Sequence, residues 1–129
     1  MYIFILPSGS AQADVMKTVN SFDDNNIKFM WKQVGSLQEV VDSNTTGDWY
    51  MIMHDDEYID KNLAKSLPVY LLSQFDVIEC YRKTGDKTGT ISPRLFRGHI
   101  KPQWDSLLPA DIQKLKTTRI LDGWIQPHV

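Results

Sequence analysis

A histidine and three acids that could bind a metal ion follow directly after one apolar stretch. Residues 49–53 are continuously apolar, and the chain then reads His54, Asp55, Asp56 and Glu57. Three carboxylates and an imidazole so close together are electrostatically unfavourable unless something positive joins them. Hard divalent ions such as Mg²⁺ or Mn²⁺ prefer carboxylate oxygen as a ligand. The cluster therefore predicts a divalent-cation site.

The same cluster has a second interpretation that needs no ligand. Asp55, Asp56 and Glu57 then form a solvated loop that opens the next helix, because acids favour the positive end of the helix dipole. His54 then packs or forms hydrogen bonds like most histidines. The residue pattern alone favours neither interpretation, since short motifs often match by chance.

The elements before the cluster predict how it is positioned. An apolar run such as 49–53 is typical of a strand covered on both faces. The preceding pattern predicts a strand at 2–6, a helix at 11–21, a strand at 27–31 and a helix that starts at Leu37 after the capping box of Ser36 and Glu39. This βαβαβ order predicts parallel strands with right-handed crossovers. The cluster then lies at the carboxyl end of its strand, where open α/β sheets bind ligands.

The second half of the chain is predicted from similar patterns. Apolar residues at helical spacing predict a helix over 59–71, which Pro68 should kink or split. Residues 75–83 and 90–96 predict two antiparallel strands, with Pro93 at an edge or bulge. A short helix around 108–115 and a final strand at 119–125 complete the expected elements.

Composition limits the classes of protein to consider. The chain has 129 residues, which fits one domain, and its formal net charge of −2 argues against nucleic acid or an anionic membrane as a partner. The single cysteine, Cys80, excludes an intramolecular disulfide and a cysteine-rich zinc cluster. The apolar start lacks the basic region of a signal peptide, and no stretch approaches the ~20 apolar residues of a membrane span. A cytoplasmic location without a transmembrane segment is the prediction.

Three segments together resemble a known family. Gly47-Asp48-Trp49, the apolar strand and residues 54–57 resemble the metal-binding strand of family-2-type glycosyltransferases, which have the GT-A fold. Residues 92–97 (S-P-R-L-F-R) resemble the P-R-L-F-R segment of one branch, and residues 3–8 resemble its first strand. The resemblance covers 2–97 and leaves 98–129 unassigned. It implies a single minimal domain over 1–129. It also implies a three-layer α/β/α GT-A-like (Rossmann-like) fold, in which the mixed sheet is mostly parallel with an antiparallel edge portion.

The resemblance implies transfer of a sugar from a nucleotide diphosphate donor to an acceptor, with Mn²⁺ or Mg²⁺ bridging the two phosphates. The implied metal ligands are Asp56, then Asp55, then His54. The implied nucleotide-binding residues are Pro7, Ser8, Gly9 and Asp55. Arg94 and Arg97 are implied to contact phosphate or the acceptor, since guanidinium pairs well with oxyanions. The alternative for both arginines is an ion pair with Asp or Glu at the surface.

Two departures from the family keep other functions open. Residues 32–36 lack the acid that the family uses to hold the nucleobase and ribose. The family's catalytic base has no clear counterpart, and the candidates are Glu79, Asp122 and His128. The first alternative is therefore a non-catalytic interaction protein with a protein partner. The small size of the chain, which is typical of viral proteins, also favours this alternative. The second is a metal-dependent phosphoesterase built on the same acids.

Overall fold

A computed structural model of the protein describes residues 1–43, 48–98, 100 and 115–128. In this part of the chain the elements are, in order, β1 (Tyr2–Leu6), α1 (Val15–Asp23), β2 (Met30–Gln33), α2 (Leu37–Asp42), β3 (Trp49–His54), β4 (Glu57–Ile59), α3 (Lys61–Leu71), β5 (Val77–Lys83), β6 (Gly89–Arg97), β7 (Thr117–Arg119) and β8 (Ile125–Pro127). No helix among the described residues is long and apolar enough to cross a membrane.

The strands form one mixed sheet, so the fold is a mixed α/β fold, as predicted at that level. The strand order is β2-β1-β3-β6-β5-β8-β4, and β7 pairs with β5 beside this path. β1 is parallel to β2 and β3, and β5 is parallel to β7 and β8. The pairs β3–β6, β5–β6 and β4–β8 are antiparallel. A mostly parallel sheet is therefore not confirmed, although the predicted antiparallel pairing of β5 with β6 is.

The sheet has an apolar core on each face. Along β1, Ile3 and Ile5 pack on the face that α1 and α3 cover, whereas Phe4 and Leu6 pack on the face of α2. The side chains of β3 alternate in the same way between the two cores, because successive residues of a strand point to opposite faces. The prediction that residues 49–53 form a strand covered on both faces is confirmed.

Local hydrogen bonds explain where the helices begin. α2 starts as predicted, because the Ser36 hydroxyl accepts the Glu39 N–H at 3.4 Å. α1 starts at Val15 and not near residue 11, because Asp14 is the N-cap and its carboxylate accepts the Lys17 N–H at 3.2 Å. Of the predicted kink or split at Pro68, the split is wrong. α3 runs through the exposed Pro68, since Leu67 before it and Leu71 after it pack against the same core.

The C-terminal segment adds two strands to the sheet where one was predicted at 119–125. β7 ends at Arg119 and β8 begins at Ile125, and between them Gly123 has a φ of 98°. That backbone conformation is one that residues with a side chain rarely adopt. The helix predicted around 108–115 lies, apart from Leu115, outside the described residues.

Gly123→Ala is expected to destabilise the protein strongly. The added Cβ would lie 2.1 Å from the backbone nitrogen and 2.5 Å from the Cα of Leu63 at the start of α3. The unfavourable φ alone costs about 1–3 kcal/mol, and the clash with backbone atoms adds to it. Urea denaturation measures the sum. Gly9→Ala is the matched control, because Gly9 has a φ of 73° but no atom within 4 Å of the added Cβ. Equal losses in the two variants would contradict the described packing of Gly123 on α3.

Candidate functional site

A cleft of about 470 Å³ opens at the carboxyl ends of β1 and β3. Its lining comprises Pro7, Ser8, His54, Asp56, Glu57, Arg82, Thr90, Ile91, Ser92 and Arg94. β1 and β3 are parallel neighbours, and β2 lies on the other side of β1, so the strand order reverses at β1. Ligands of open α/β sheets bind outside the carboxyl ends of the strands at such a point. The acid cluster lies at the carboxyl end of its strand, as predicted, and this cleft opens there.

Glu57 is the buried centre of the cleft floor. Its side chain is inaccessible to solvent, and each carboxylate oxygen accepts from a different Nη of Arg94, at 2.7 and 2.9 Å. Arg82 donates from Nε to the same carboxylate at 2.7 Å, and the backbone N–H of His54 donates at 2.8 Å. A carboxylate is buried at such a place only when it is paired and hydrogen-bonded. Glu57 is therefore a structural anion and not a solvated loop residue.

A β-bulge accompanies the inward position of Arg94. Ile78 of β5 lies opposite Leu95, but the next residue, Glu79, lies opposite Pro93, so Arg94 is the extra residue of β6. Proline has no N–H to donate to the ladder, which favours a bulge, and bulges redirect side chains. The bulge predicted at Pro93 is thereby confirmed. The Arg94 guanidinium also donates to the Ser92 hydroxyl and to the Ile52 carbonyl.

The charge state of Glu57 follows from these contacts. Burial by itself raises the pKa of a carboxyl group, because it disfavours the charged form. Here the hydrogen bonds from Arg94 and His54 and the positive charge of Arg94 outweigh burial, and the pKa of Glu57 lies well below its ordinary value of 4.5. Glu57 is thus ionised at neutral pH, and its low proton affinity, with both oxygens already accepting hydrogen bonds, makes it a poor general base.

The lowered pKa of Glu57 predicts an acid-sensitive contribution to stability. A carboxyl group with a depressed pKa in the folded state stabilises the fold above its unfolded pKa, and this contribution is lost as the pH falls toward the folded value. We expect the difference in unfolding free energy between wild type and Glu57→Gln to narrow as the pH falls below about 4.5. Urea denaturation at a series of pH values measures it, and the other acids, common to both proteins, cancel. A difference independent of pH would contradict this charge state.

Asp55 holds the loop after β1. One of its carboxylate oxygens accepts the Ser8 N–H at 3.0 Å and the Ser8 hydroxyl at 2.5 Å. The backbone N–H of Asp55 also donates to the Leu6 carbonyl. Of the residues predicted to bind the nucleotide, Pro7 and Ser8 line the cleft, Asp55 fixes their loop, and Gly9 is exposed beside them.

His54 and Asp56, two of the three predicted metal ligands, line the cleft, and the third, Asp55, is not part of the lining. The Nδ1 atom of His54 lies 3.5 Å from the Glu57 carboxylate, and about a quarter of the His54 side chain is exposed. The backbone carbonyl of Asp56 accepts the N–H of His128 at 2.7 Å, which fixes the backbone at this acid. Among the described residues, no group of three or more His, Cys, Asp or Glu is arranged to hold a metal ion.

Arg97 lies at the opposite end of β3, where it pairs with Trp49. Its Nε donates to the Phe75 carbonyl at 2.9 Å, another nitrogen donates to the Ser73 carbonyl, and the guanidinium lies over the Trp49 ring. These contacts attach the loop before β5 to the sheet. Arg94 and Arg97, for which the resemblance implies the same role, thus lie in separate places. Of these two arginines, only Arg94 lines the cleft.

The three candidate bases are not part of the cleft lining. Glu79 accepts a hydrogen bond from Arg119 at 3.4 Å, and Asp122 is exposed between β7 and β8. His128 is buried, with its Nδ1 atom 3.1 Å from the Gln12 carbonyl oxygen. The structure therefore brings together Pro7, Ser8, His54, Asp56 and Arg94, but not Glu79, Asp122 or His128.

Glu57 and Arg82 are the site residues that sequence reasoning missed. The residue pattern groups Glu57 with the acids of a metal site or a solvated loop, and it does not single out Arg82. In the structure residues 57–59 alternate in burial as a strand does, so Glu57 lies on the same buried face as Ile59, where an acid requires cations nearby. The three residues are too short a pattern to show this in the sequence. Arg82 and Arg94 lie on the two strands that were predicted to pair.

Comparison with known proteins does not assign a family. No family model matches the chain, and no curated protein matches it. Solved structures that resemble it include the crystal structure of A197 from STIV, which is 13% identical, with a TM-score of 0.45 over 92% of this chain and 81% of A197. A likeness of this size assigns neither a family nor a function.

Proposed function

We propose that this chain is a minimal GT-A-like domain that binds a divalent cation and a nucleotide diphosphate sugar in the cleft, and transfers the sugar to an acceptor. The observation that carries the proposal is the position of the cleft at the carboxyl ends of β1 and β3, with Asp56 and two arginines in its lining. The cleft lining has both acidic and basic side chains, which suits a ligand that combines phosphates with a metal ion.

Each part of the cleft has a role in this proposal. Asp56, with His54 beside it, holds the cation together with phosphate oxygens of the donor. The loop of Pro7 and Ser8, which Asp55 fixes, lines the nucleotide side. A cation held there would neutralise the charge that develops on the leaving diphosphate. The three-layer GT-A arrangement belongs to the proposal as well, and helices on both faces of β2-β1-β3 support it.

A second candidate function is a non-catalytic interaction protein that keeps the fold. One specific observation favours it, namely that Glu79, Asp122 and His128 lie outside the cleft lining. A general base must reach the acceptor hydroxyl within hydrogen-bond distance, directly or through one water. Donor turnover therefore separates the two candidates, since only the transferase releases a nucleoside diphosphate.

Calorimetry of the protein with MnCl₂ and a panel of UDP- and GDP-sugars tests the proposal. We expect at least one donor to bind with Mn²⁺ present and its affinity to fall when EDTA removes the metal. Failure of every donor to bind at millimolar concentration would overturn the proposal. Binding without release of the nucleoside diphosphate, combined with a stoichiometric protein partner, would favour the second candidate.

A further inference from the structure

We infer that Arg82 is the residue that binds the diphosphate anion in the cleft. This inference rests on the proposed function for the identity of the ligand and adds a phosphate-binding residue to it. Arg82 lies on β5, opposite Thr90 of β6, and both residues line the cleft. A quarter of the Arg82 side chain is exposed, whereas those of Arg94 and Glu57 are almost wholly buried.

The first support is the charge of the buried cluster. Among the described residues, the guanidinium groups of Arg82 and Arg94 both pair with the carboxylate of Glu57, so these three side chains together carry one positive charge. In the proposed site the cation takes up the Asp56 carboxylate of the same lining, and an anion in the cleft would then pair with the partly exposed guanidinium. Arg82 is the member of the cluster through which this charge reaches the cleft.

The second support is a match of charge with the ligand. A divalent cation bound to the Asp56 carboxylate keeps one positive charge. Together with the one positive charge of the Glu57, Arg82 and Arg94 cluster, the occupied lining carries two. The two phosphates of a nucleotide diphosphate sugar carry two negative charges at neutral pH. Cation and Arg82 together therefore neutralise the donor, and neither does so alone.

The third support is how the Arg82 guanidinium is held. Its Nε donates to Glu57 at 2.7 Å and its Nη1 to the Lys83 carbonyl at 3.1 Å. These contacts fix the plane of the guanidinium but use two of its five N–H groups. Arg94 donates from all three of its nitrogens to Ser92, Ile52 and Glu57. Arg82 is thus preorganised to present donors to an oxyanion, and Arg94 supports the carboxylate that orients it.

Titration of the full-length protein with inorganic pyrophosphate in EDTA tests the inference, because it measures the anion site without metal or nucleotide. Charge-assisted hydrogen bonds of this type correspond to about a 10- to 100-fold change in affinity. We expect that loss in Arg82→Gln and a smaller loss in Arg82→Lys, which keeps the charge but not the planar fork. Arg119→Gln, at an exposed pair with Glu79, is the control and should bind as wild type does.

The outcomes separate this inference from the proposed function. Wild-type affinity in both Arg82 variants, or no pyrophosphate binding by the wild type, would overturn the role of Arg82. Nucleotide-sugar binding by wild type and Arg82→Gln alike would keep the proposed function and overturn the inference. Pyrophosphate binding that depends on Arg82, in a protein that binds no nucleotide sugar, would keep the anion site and overturn the proposed function. If Arg82→Gln does not fold, as circular dichroism would show, Arg82→Lys decides.

Discussion

Arg94→Ala is expected to destabilise the protein by about 3–5 kcal/mol, because it leaves the Glu57 carboxylate buried without its main partner. The Glu57 side chain is inaccessible to solvent, and Arg94 donates to both of its carboxylate oxygens, at 2.7 and 2.9 Å. The substitution also removes the donors to the Ile52 carbonyl and the Ser92 hydroxyl. Arg82 alone is too exposed to replace them.

Urea denaturation of wild type and variants measures this effect. Arg119→Ala is the matched control, because it removes an arginine from an exposed ion pair with Glu79 and should change stability little. The double variant Glu57→Leu/Arg94→Met should recover part of the loss, since replacing both members of a buried pair by apolar residues is often neutral. Arg82 loses its carboxylate in this variant, but a quarter of its side chain is in contact with solvent. A loss in Arg94→Ala no larger than in Arg119→Ala would contradict the buried ion pair.

Asp56→Ala is expected to remove the metal-dependent part of donor binding. In the proposed site Asp56 supplies the carboxylate of the cation, and the remaining ligands come mainly from the donor phosphates. Even residues that only orient a metal ligand cost about 10–100-fold when removed, so loss of a direct ligand should exceed about 100-fold. Calorimetry with Mn²⁺ and the best donor of the panel measures this change.

Asp122→Ala is the control for that experiment, because Asp122 is an exposed acid outside the cleft lining. It changes the net charge by the same amount as Asp56→Ala and should leave donor binding unchanged. If Asp56→Ala bound the donor and Mn²⁺ as tightly as Asp122→Ala does, the assignment of Asp56 to the cation would be wrong.

The parts of the fold that local patterns determine were predicted from the sequence. The uninterrupted apolar run of β3 has one common explanation, a strand buried on both faces, and the capping box at Ser36 specifies where α2 starts. The βαβαβ order also predicts the edge of the sheet at which the cleft lies. Antiparallel pairing was predicted only for β5 with β6. The pairing of β4 with β8 was not, because each strand has only three residues and the two lie far apart in the sequence.

The roles of the individual acids could not be predicted, because they depend on contacts between distant residues. Residues 55, 56 and 57 are equivalent in any pattern of residue types. In the structure Asp55 binds the loop of Ser8, Asp56 lines the cleft, and Glu57 meets arginines 25 and 37 residues further along the sequence. The contact of Glu57 with Arg94 is accompanied by one extra residue in β6 relative to β5. Such a shift of register is not visible in the periodicity of either strand.

The most direct test of the proposed site is a crystal structure of the protein soaked with MnCl₂ and UDP. We expect an anomalous manganese peak beside the carboxylate of Asp56, with the diphosphate between this ion and the guanidinium of Arg82. We also expect the Glu57–Arg94 contact to be unchanged, since that pair supports the site. A cleft without manganese or nucleotide in fully soaked crystals, or a peak only at acids elsewhere on the surface, would contradict the account.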